Sequence, residues 1–194
     1  MAATPKRLSI VKDDVIAVVG AINELSGQQV LVGIPEKTAG RSGDPVNNAT
    51  IGYVMETGMP SHNVPARPWL VPGVKDGEND EIAALRKAAD AALDGNKPGI
   101  AQWLNAAGSI AVGFVRLKIG SNIPPPLAPS TIRNRFRARG TKSRRPEEDR
   151  YHTLVSAGMP HGQAQDAAGI VSLINSGQLR NAVTYVLRKI TGRK

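Results

Sequence analysis

The chain has 194 residues, of which 41% are hydrophobic and only 4% aromatic, and it contains no cysteine. This length suits one packed domain with an aliphatic core, and the lack of cysteine excludes disulfides, thiolate metal sites and a cysteine nucleophile. No window reaches the roughly 18 apolar residues that a membrane span requires, and residues 1–14 hold no apolar stretch of signal-peptide length. These features predict a soluble protein that is made in the cytoplasm and has no membrane partner.

The net charge of +9 is concentrated in the C-terminal third of the chain. Residues 1–129 hold 12 Lys/Arg and 12 Asp/Glu, whereas residues 130–194 hold 13 Lys/Arg and 4 Asp/Glu, which accounts for the whole excess. A neutral body with a basic end predicts a polyanion or an acidic protein surface as a neighbour. A solvated basic surface explains the same charge equally well.

The predicted elements begin with a helix over 13–26, where apolar side chains recur at helical spacing. Residues 29–34 (QVLVGI) form a β-branched run and predict a strand. Residues 36–45 are polar and rich in glycine, which is typical of a mobile loop. Residues 47–57 then predict a helix, with Gly58 in the left-handed cap position after it.

Residues 59–72 contain four prolines, which are incompatible with a continued helix and predict an extended, stiff arm anchored by Trp69 and Leu70. Such a segment loses little backbone freedom on ordering, so it is suited to docking on a partner. The alternative is that Trp69 and Leu70 cover the core of their own chain. Arg67 is expected to pair with Glu56, within the subunit or across an interface.

Two long helices are expected next, over about 76–93 and 100–119, because apolar residues recur there at helical spacing. Gly108 and Gly113 lie in the second of these helices. Since neither residue has a side chain, a neighbouring backbone can approach closely at both positions.

The C-terminal third begins with a proline-rich break and a short helix over 131–139, for which Ser130 is the expected N-cap. Residues 140–150 have no apolar side chain and predict a flexible or partner-ordered segment. Residues 151–169 are weakly patterned, with a short helix as one interpretation, and about 139–169 is interpreted as a basic, flexible insertion in a single domain spanning the whole chain. A short helical turn over 177–181 and a strand over 182–190 complete the prediction.

The strongest local feature is a run of basic residues, namely Arg133, Arg135, Arg137, Arg139, Lys142, Arg144 and Arg145. In a helix, the arginines two apart would form a broad collar, whereas in an extended segment they would share one face. Either form can hold phosphates or an acidic partner. Only Phe136 interleaves the run and no DNA-reading motif surrounds it, which favours a protein partner.

No constellation in the sequence indicates catalysis. The histidines His62, His152 and His161 lack the spacing of a metal site, and the glycine-rich stretches match neither phosphate-binding motif. No nucleophile elbow is present. The sequence therefore predicts a protein that is not an enzyme and that has no metal site and no cofactor.

Three segments in order do resemble a known family: VLVGIP with NNATIGYVMETGMPSHNVPARPWLVPG, then PPPLAPSTIRNR, then LINSGQLRNAVTYVLRK. Together they are similar to the tail-completion and virion-morphogenesis proteins of long-tailed bacteriophages. The matching positions are Ala49, Tyr53, Glu56, Gly58, Pro65, Ala66, Arg67, Pro68, Trp69, Leu127, Thr131, Arg135, Ser176, Gly177, Leu179 and Arg180. The long stretch over 139–169 departs from the family pattern, as does Met55, where relatives often carry histidine.

The resemblance implies an α+β subunit in which a small mixed or antiparallel sheet packs against a long helix. It implies a structural virion component of the phage neck, in a homo-oligomeric ring of six or twelve copies between the connector and the tail terminator or tail tube, with genomic DNA in the channel as a further neighbour. The interface candidates are Arg67, Pro68, Trp69, Leu70 and Glu56. A tail terminator capping the tail tube, and a DNA-binding protein acting through residues 130–150, are the alternatives.

Overall fold

The computed structural model describes residues 15–43, 45–138 and 145–190. In chain order its elements are α1 (Val15–Ser26), β1 (Gln28–Gly33), α2 (Glu36–Ala39), α3 (Asn48–Thr57), a 3₁₀ turn (Pro60–His62), α4 (Leu70–Asp76), α5 (Glu78–Leu93), α6 (Lys97–Gly120), α7 (Pro129–Ala138), α8 (Pro146–Ser156), α9 (His161–Ala168), α10 (Gln178–Ala182) and β2 (Thr184–Lys189). None of the helices in this part of the chain combines the length and apolar character needed to cross a membrane.

The expected α+β fold is confirmed: the two strands form a small antiparallel sheet that packs against helices. The strands pair from Gln28 with Lys189 to Gly33 with Thr184. The inner face of the sheet lies on α6, where the ring of Tyr185 fits over Gly108. Its outer face exposes Leu31 and Val186, at 43% and 42% of their surface.

The core consists of three neighbouring clusters of buried side chains. One surrounds Trp69 and the C-terminal half of α6, including Val115 and Ile119. A second joins α1, α5 and α6, largely through alanines, because small side chains let these helices approach closely. The third surrounds Tyr151 and Ile132 and holds α7, α8 and α9 together. The aliphatic core expected from the low aromatic content is therefore assembled in small parts.

The predicted loop over 36–45 and the predicted arm over 59–72 both contain more helix than expected. Residues 36–39 form the single turn α2, and α4 begins at Leu70, six residues before the predicted start of the next helix. Pro72 is tolerated because it lies in the first turn of α4, where its missing N–H has no intrahelical partner. Gly58 has a φ of 78° but a ψ of 168°, so it adopts a positive φ without the left-handed helical conformation.

Much of the described part of 139–169, the stretch interpreted as an insertion, is helical. Residues 146–156 and 161–168 form α8 and α9, and Tyr151 is only 3% exposed. Residues 139–144 lie outside the described residues. Helix α7 begins at Pro129, so Ser130 lies within the helix and is not its N-cap.

Candidate functional site

The carboxylate of Glu56, near the end of α3, caps the N-terminus of α4. Its Oε2 accepts hydrogen bonds from the backbone N–H groups of Trp69 and Leu70, at 2.6 and 2.8 Å, and its Oε1 accepts one from Val71, at 3.2 Å. The first N–H groups of a helix lack intrahelical partners, and a negative charge is favourable there. The carboxylate of Glu56 therefore accepts hydrogen bonds from these N–H groups and also places a negative charge at the N-terminus of the helix.

Trp69 belongs to the core of its own chain. It is 2% exposed, and its Nε1 donates a hydrogen bond to the carbonyl oxygen of Gly52, at 3.0 Å. A side chain on Gly52 would lie 2.9 Å from the indole ring, so the glycine makes room for Trp69. Leu70 is half-buried against the same cluster. Of the two alternatives for these side chains, the core position is the one observed, and among the five interface candidates only Pro68 is exposed.

Arg67 is buried as well, at 4% exposure, and it does not pair with Glu56 as expected. Its Nε donates to the carbonyl oxygen of Pro125 at 2.9 Å, and its Nη2 donates to that of Pro126 at 3.2 Å. Burial lowers the pKa of the guanidinium from its ordinary value, and a charge is retained there because two carbonyl dipoles face it. Through these hydrogen bonds Arg67 connects the proline-rich arm, residues 59–72, to the proline-rich segment that precedes α7.

The basic residues of α7 divide into two groups. Arg135 is half-buried and donates to the carbonyl oxygens of Ile174 and Ser172, at 3.3 and 3.4 Å. Arg133 and Arg137, four residues apart, are exposed on the same side of the helix. The segment is helical, yet Arg135 faces the protein, so the expected collar of arginines is incomplete.

The other basic candidates contribute differently. Arg145 lies outside α7 and approaches Glu147 at 3.6 Å, and such a partly exposed ion pair has little energetic weight. Arg139, Lys142 and Arg144 lie outside the described residues. Among the residues that the structure describes, no group of three or more potential metal ligands comes together.

Gln165 is a site residue that the sequence did not reveal. It is fully buried, and its Oε1 accepts a hydrogen bond from the backbone N–H of Leu127, at 2.8 Å. Its amide nitrogen lies 3.4 Å from the carbonyl oxygen of Ile170. Beside it, the ring of His161 lies between the hydroxyl of Tyr151 and the carbonyl oxygen of Leu127. Polar residues in a weakly patterned stretch gave no sign of this buried network.

Glu56→Gln should lower the free energy of unfolding by about 1–2 kcal/mol, because the amide keeps one acceptor oxygen but brings an NH₂ group against backbone donors. Urea unfolding followed by circular dichroism measures this loss. Glu24→Gln is the matched control, since Glu24 makes only an exposed 3.7 Å ion pair with Lys97. Equal stabilities for the two variants would contradict the capping role of Glu56.

No protein-family model, curated protein or solved structure matches this chain.

Proposed function

We propose that this protein is a structural subunit of the neck of a tailed bacteriophage, in the tail-completion or head–tail joining ring. One observation carries the proposal: the segments on which the resemblance rests, far apart in sequence, are fastened to one another. Arg67 of the first segment donates to the carbonyl oxygens of Pro125 and Pro126 in the second, and Arg135 of the second donates to that of Ile174 in the third. Within the first segment, Glu56 caps the helix after Trp69. Contacts between residues of separate motifs are expected if the motifs belong to one fold. Motif matches that arose by chance need not contact one another.

An exposed apolar surface on α1 also supports an assembled subunit. Val15, Ile16 and Val19 are 65%, 89% and 51% exposed, while the buried side of the helix is centred on Ala21. The apolar stripe predicted for this helix is thus only partly covered by the other residues that the structure describes. Contiguous exposed apolar side chains mark interaction surfaces, and a closed ring of identical subunits covers such a surface on every copy.

Immunogold labelling of purified virions tests this location directly. Antibodies raised against the purified protein should place gold at the junction of head and tail. Labelling confined to the distal tail, or to the capsid away from the junction, would contradict the proposal. Virions of a related phage that lacks this gene serve as the control for antibody specificity.

A second candidate function, contact with DNA, is favoured by the exposure of Arg133 and Arg137 on one side of α7. Two arginines on one side of a helix can each neutralise a phosphate, which makes binding sensitive to salt.

Replacing both residues with glutamate should weaken duplex DNA binding at low salt and lower the slope of log K against log salt by about 2, since each phosphate contact contributes about 0.9. Fluorescence anisotropy over a salt series measures both quantities. Arg86→Glu with Arg188→Glu is the control, because these exposed residues lie elsewhere and the change in charge is the same. If the two double variants lose affinity equally, α7 does not contact DNA.

A further inference from the structure

A cleft of about 470 Å³ runs along the edge of β1 that faces away from β2. The cleft is lined by five consecutive residues of the strand, 28–32. Because alternate side chains point to opposite faces of a sheet, a cleft on one face would be lined by every second residue, so consecutive lining residues indicate a cleft along the strand edge. The floor consists of Leu104, Ala107 and Ala111 of α6. Leu85 and Glu81 of α5 form the opposite wall.

The backbone of β1 presents hydrogen-bonding groups to this cleft. The N–H of Ile190 donates to the carbonyl oxygen of Gly27 at 2.8 Å, and the antiparallel register then directs the groups of Gln29, Leu31 and Gly33 towards β2. The groups of Gln28, Val30 and Val32 therefore point into the cleft. Within the described part of the chain, no third strand pairs with this edge.

Glu81 contributes a carboxyl group to the wall of the cleft. Its Oε1 is inaccessible to solvent and has no hydrogen-bond partner. Burial, and secondarily the neighbouring Glu78, raise the pKa of this carboxyl. Of the three acidic residues in the first turn of α5, Glu78, Asp80 and Glu81, it is Glu81 that lines the cleft, so a cation is the complementary group beside it.

We propose that the free edge of β1 binds an extended segment of a neighbouring protein, which adds as a third strand and places a lysine or arginine against Glu81. This proposal is independent of the neck proposal, because it rests on the cleft alone. The edge from Gln28 to Val32 spans about 17 Å at about 3.4 Å per residue, the length of a five-residue strand. Backbone hydrogen bonds to the edge supply affinity. The small side chains of Ala107 and Ala111 in the floor leave room for apolar side chains at every second position of the added strand.

The probe is a fluorescein-labelled nine-residue peptide of alternating valine and threonine with one central lysine, titrated with the full chain and followed by anisotropy. One control peptide carries glutamate in place of lysine, and another carries N-methyl groups on alternate residues, which removes the backbone donors of one edge. Both should bind at least 10-fold more weakly than the probe. Because burial holds the pKa of Glu81 above its ordinary value of 4.5, affinity for the probe should rise as the pH increases through that pKa.

Glu81→Gln should also reduce affinity for the probe at least 10-fold while preserving the fold. A raised pKa means that ionisation of Glu81 opposes folding as the pH rises, so the neutral amide leaves the thermal stability at neutral pH equal or higher. A folded Glu81→Gln variant that binds like the parent, or a parent that ignores the probe, would overturn the proposal. A third outcome would also overturn the proposal: the probe does not bind, the protein self-associates in light scattering, and Glu81→Lys abolishes this self-association. In that case a second copy of the chain would occupy the edge.

Discussion

Replacing Trp69 with alanine should lower the free energy of unfolding by about 3–5 kcal/mol, the usual loss for a buried aromatic side chain. The ring is 2% exposed within a cluster of branched side chains, and its replacement also removes the indole donor from the carbonyl oxygen of Gly52. Urea unfolding followed by far-ultraviolet circular dichroism measures the change. Since a typical domain is stable by only about 5–15 kcal/mol, a substantial unfolded fraction is expected.

Two further variants separate packing from hydrogen bonding in this experiment. Trp69→Phe keeps most of the apolar volume but loses the Nε1 donor, so an intermediate loss of about 1–3 kcal/mol is expected. Trp103→Ala is the matched control, because Trp103 is the other tryptophan and lies half-buried beneath Lys87 at the surface. If Trp69→Ala cost no more than Trp103→Ala, Trp69 would not be a core residue, and a docking role would regain support.

The second large effect is expected at Gly108, on the side of α6 that faces the sheet. A β-carbon built on Gly108 would lie 2.3 Å from the ring of Tyr185, which is far inside van der Waals contact. The ring is held by its hydroxyl, which donates to the side chain of Asn105 at 3.0 Å. Gly108→Ala should therefore lower the free energy of unfolding by about 2–3 kcal/mol, despite the better helix propensity of alanine.

Gly113 provides the control for Gly108 within the same helix. A β-carbon there meets nothing within 4 Å, and the residue is exposed. Gly113→Ala should accordingly raise the free energy of unfolding by about 0.5–1 kcal/mol, through helix propensity alone. Calorimetry on the pair would contradict the described packing of Tyr185 if both substitutions changed the stability in the same direction.

The opposite effects expected at these two glycines illustrate what the sequence predicts and what it leaves open. Spacing within α6 placed both residues in a helix and indicated close approach at each. The group that packs against Gly108 is an aromatic ring from β2 and not a backbone. Spacing within a helix does not indicate which distant element packs against it. The strands and the long helices were predicted well, since their apolar periodicity is a local property.

The elements that were missed depend on distant residues. Helix α4 begins within the predicted arm because Glu56, 14 residues before Leu70, supplies its cap. Helix α9 buries two alanines and a glutamine, and α8 buries Glu148 and Tyr151, where a row of larger apolar residues would have marked a helical face. Arg135 was grouped with its neighbours in sequence, yet carbonyl oxygens nearly 40 residues away draw it inward. Such long-range hydrogen bonds leave no periodic trace in the sequence.

The most direct test of a role in the phage neck is electron microscopy of particles from a phage whose copy of this gene carries an early stop codon. A neck subunit is required to join head and tail, so the predicted result is DNA-filled heads that accumulate separately from tails. Supplying the gene in trans should restore joined virions. Normal, joined virions in the absence of the protein would contradict a role at the head–tail junction.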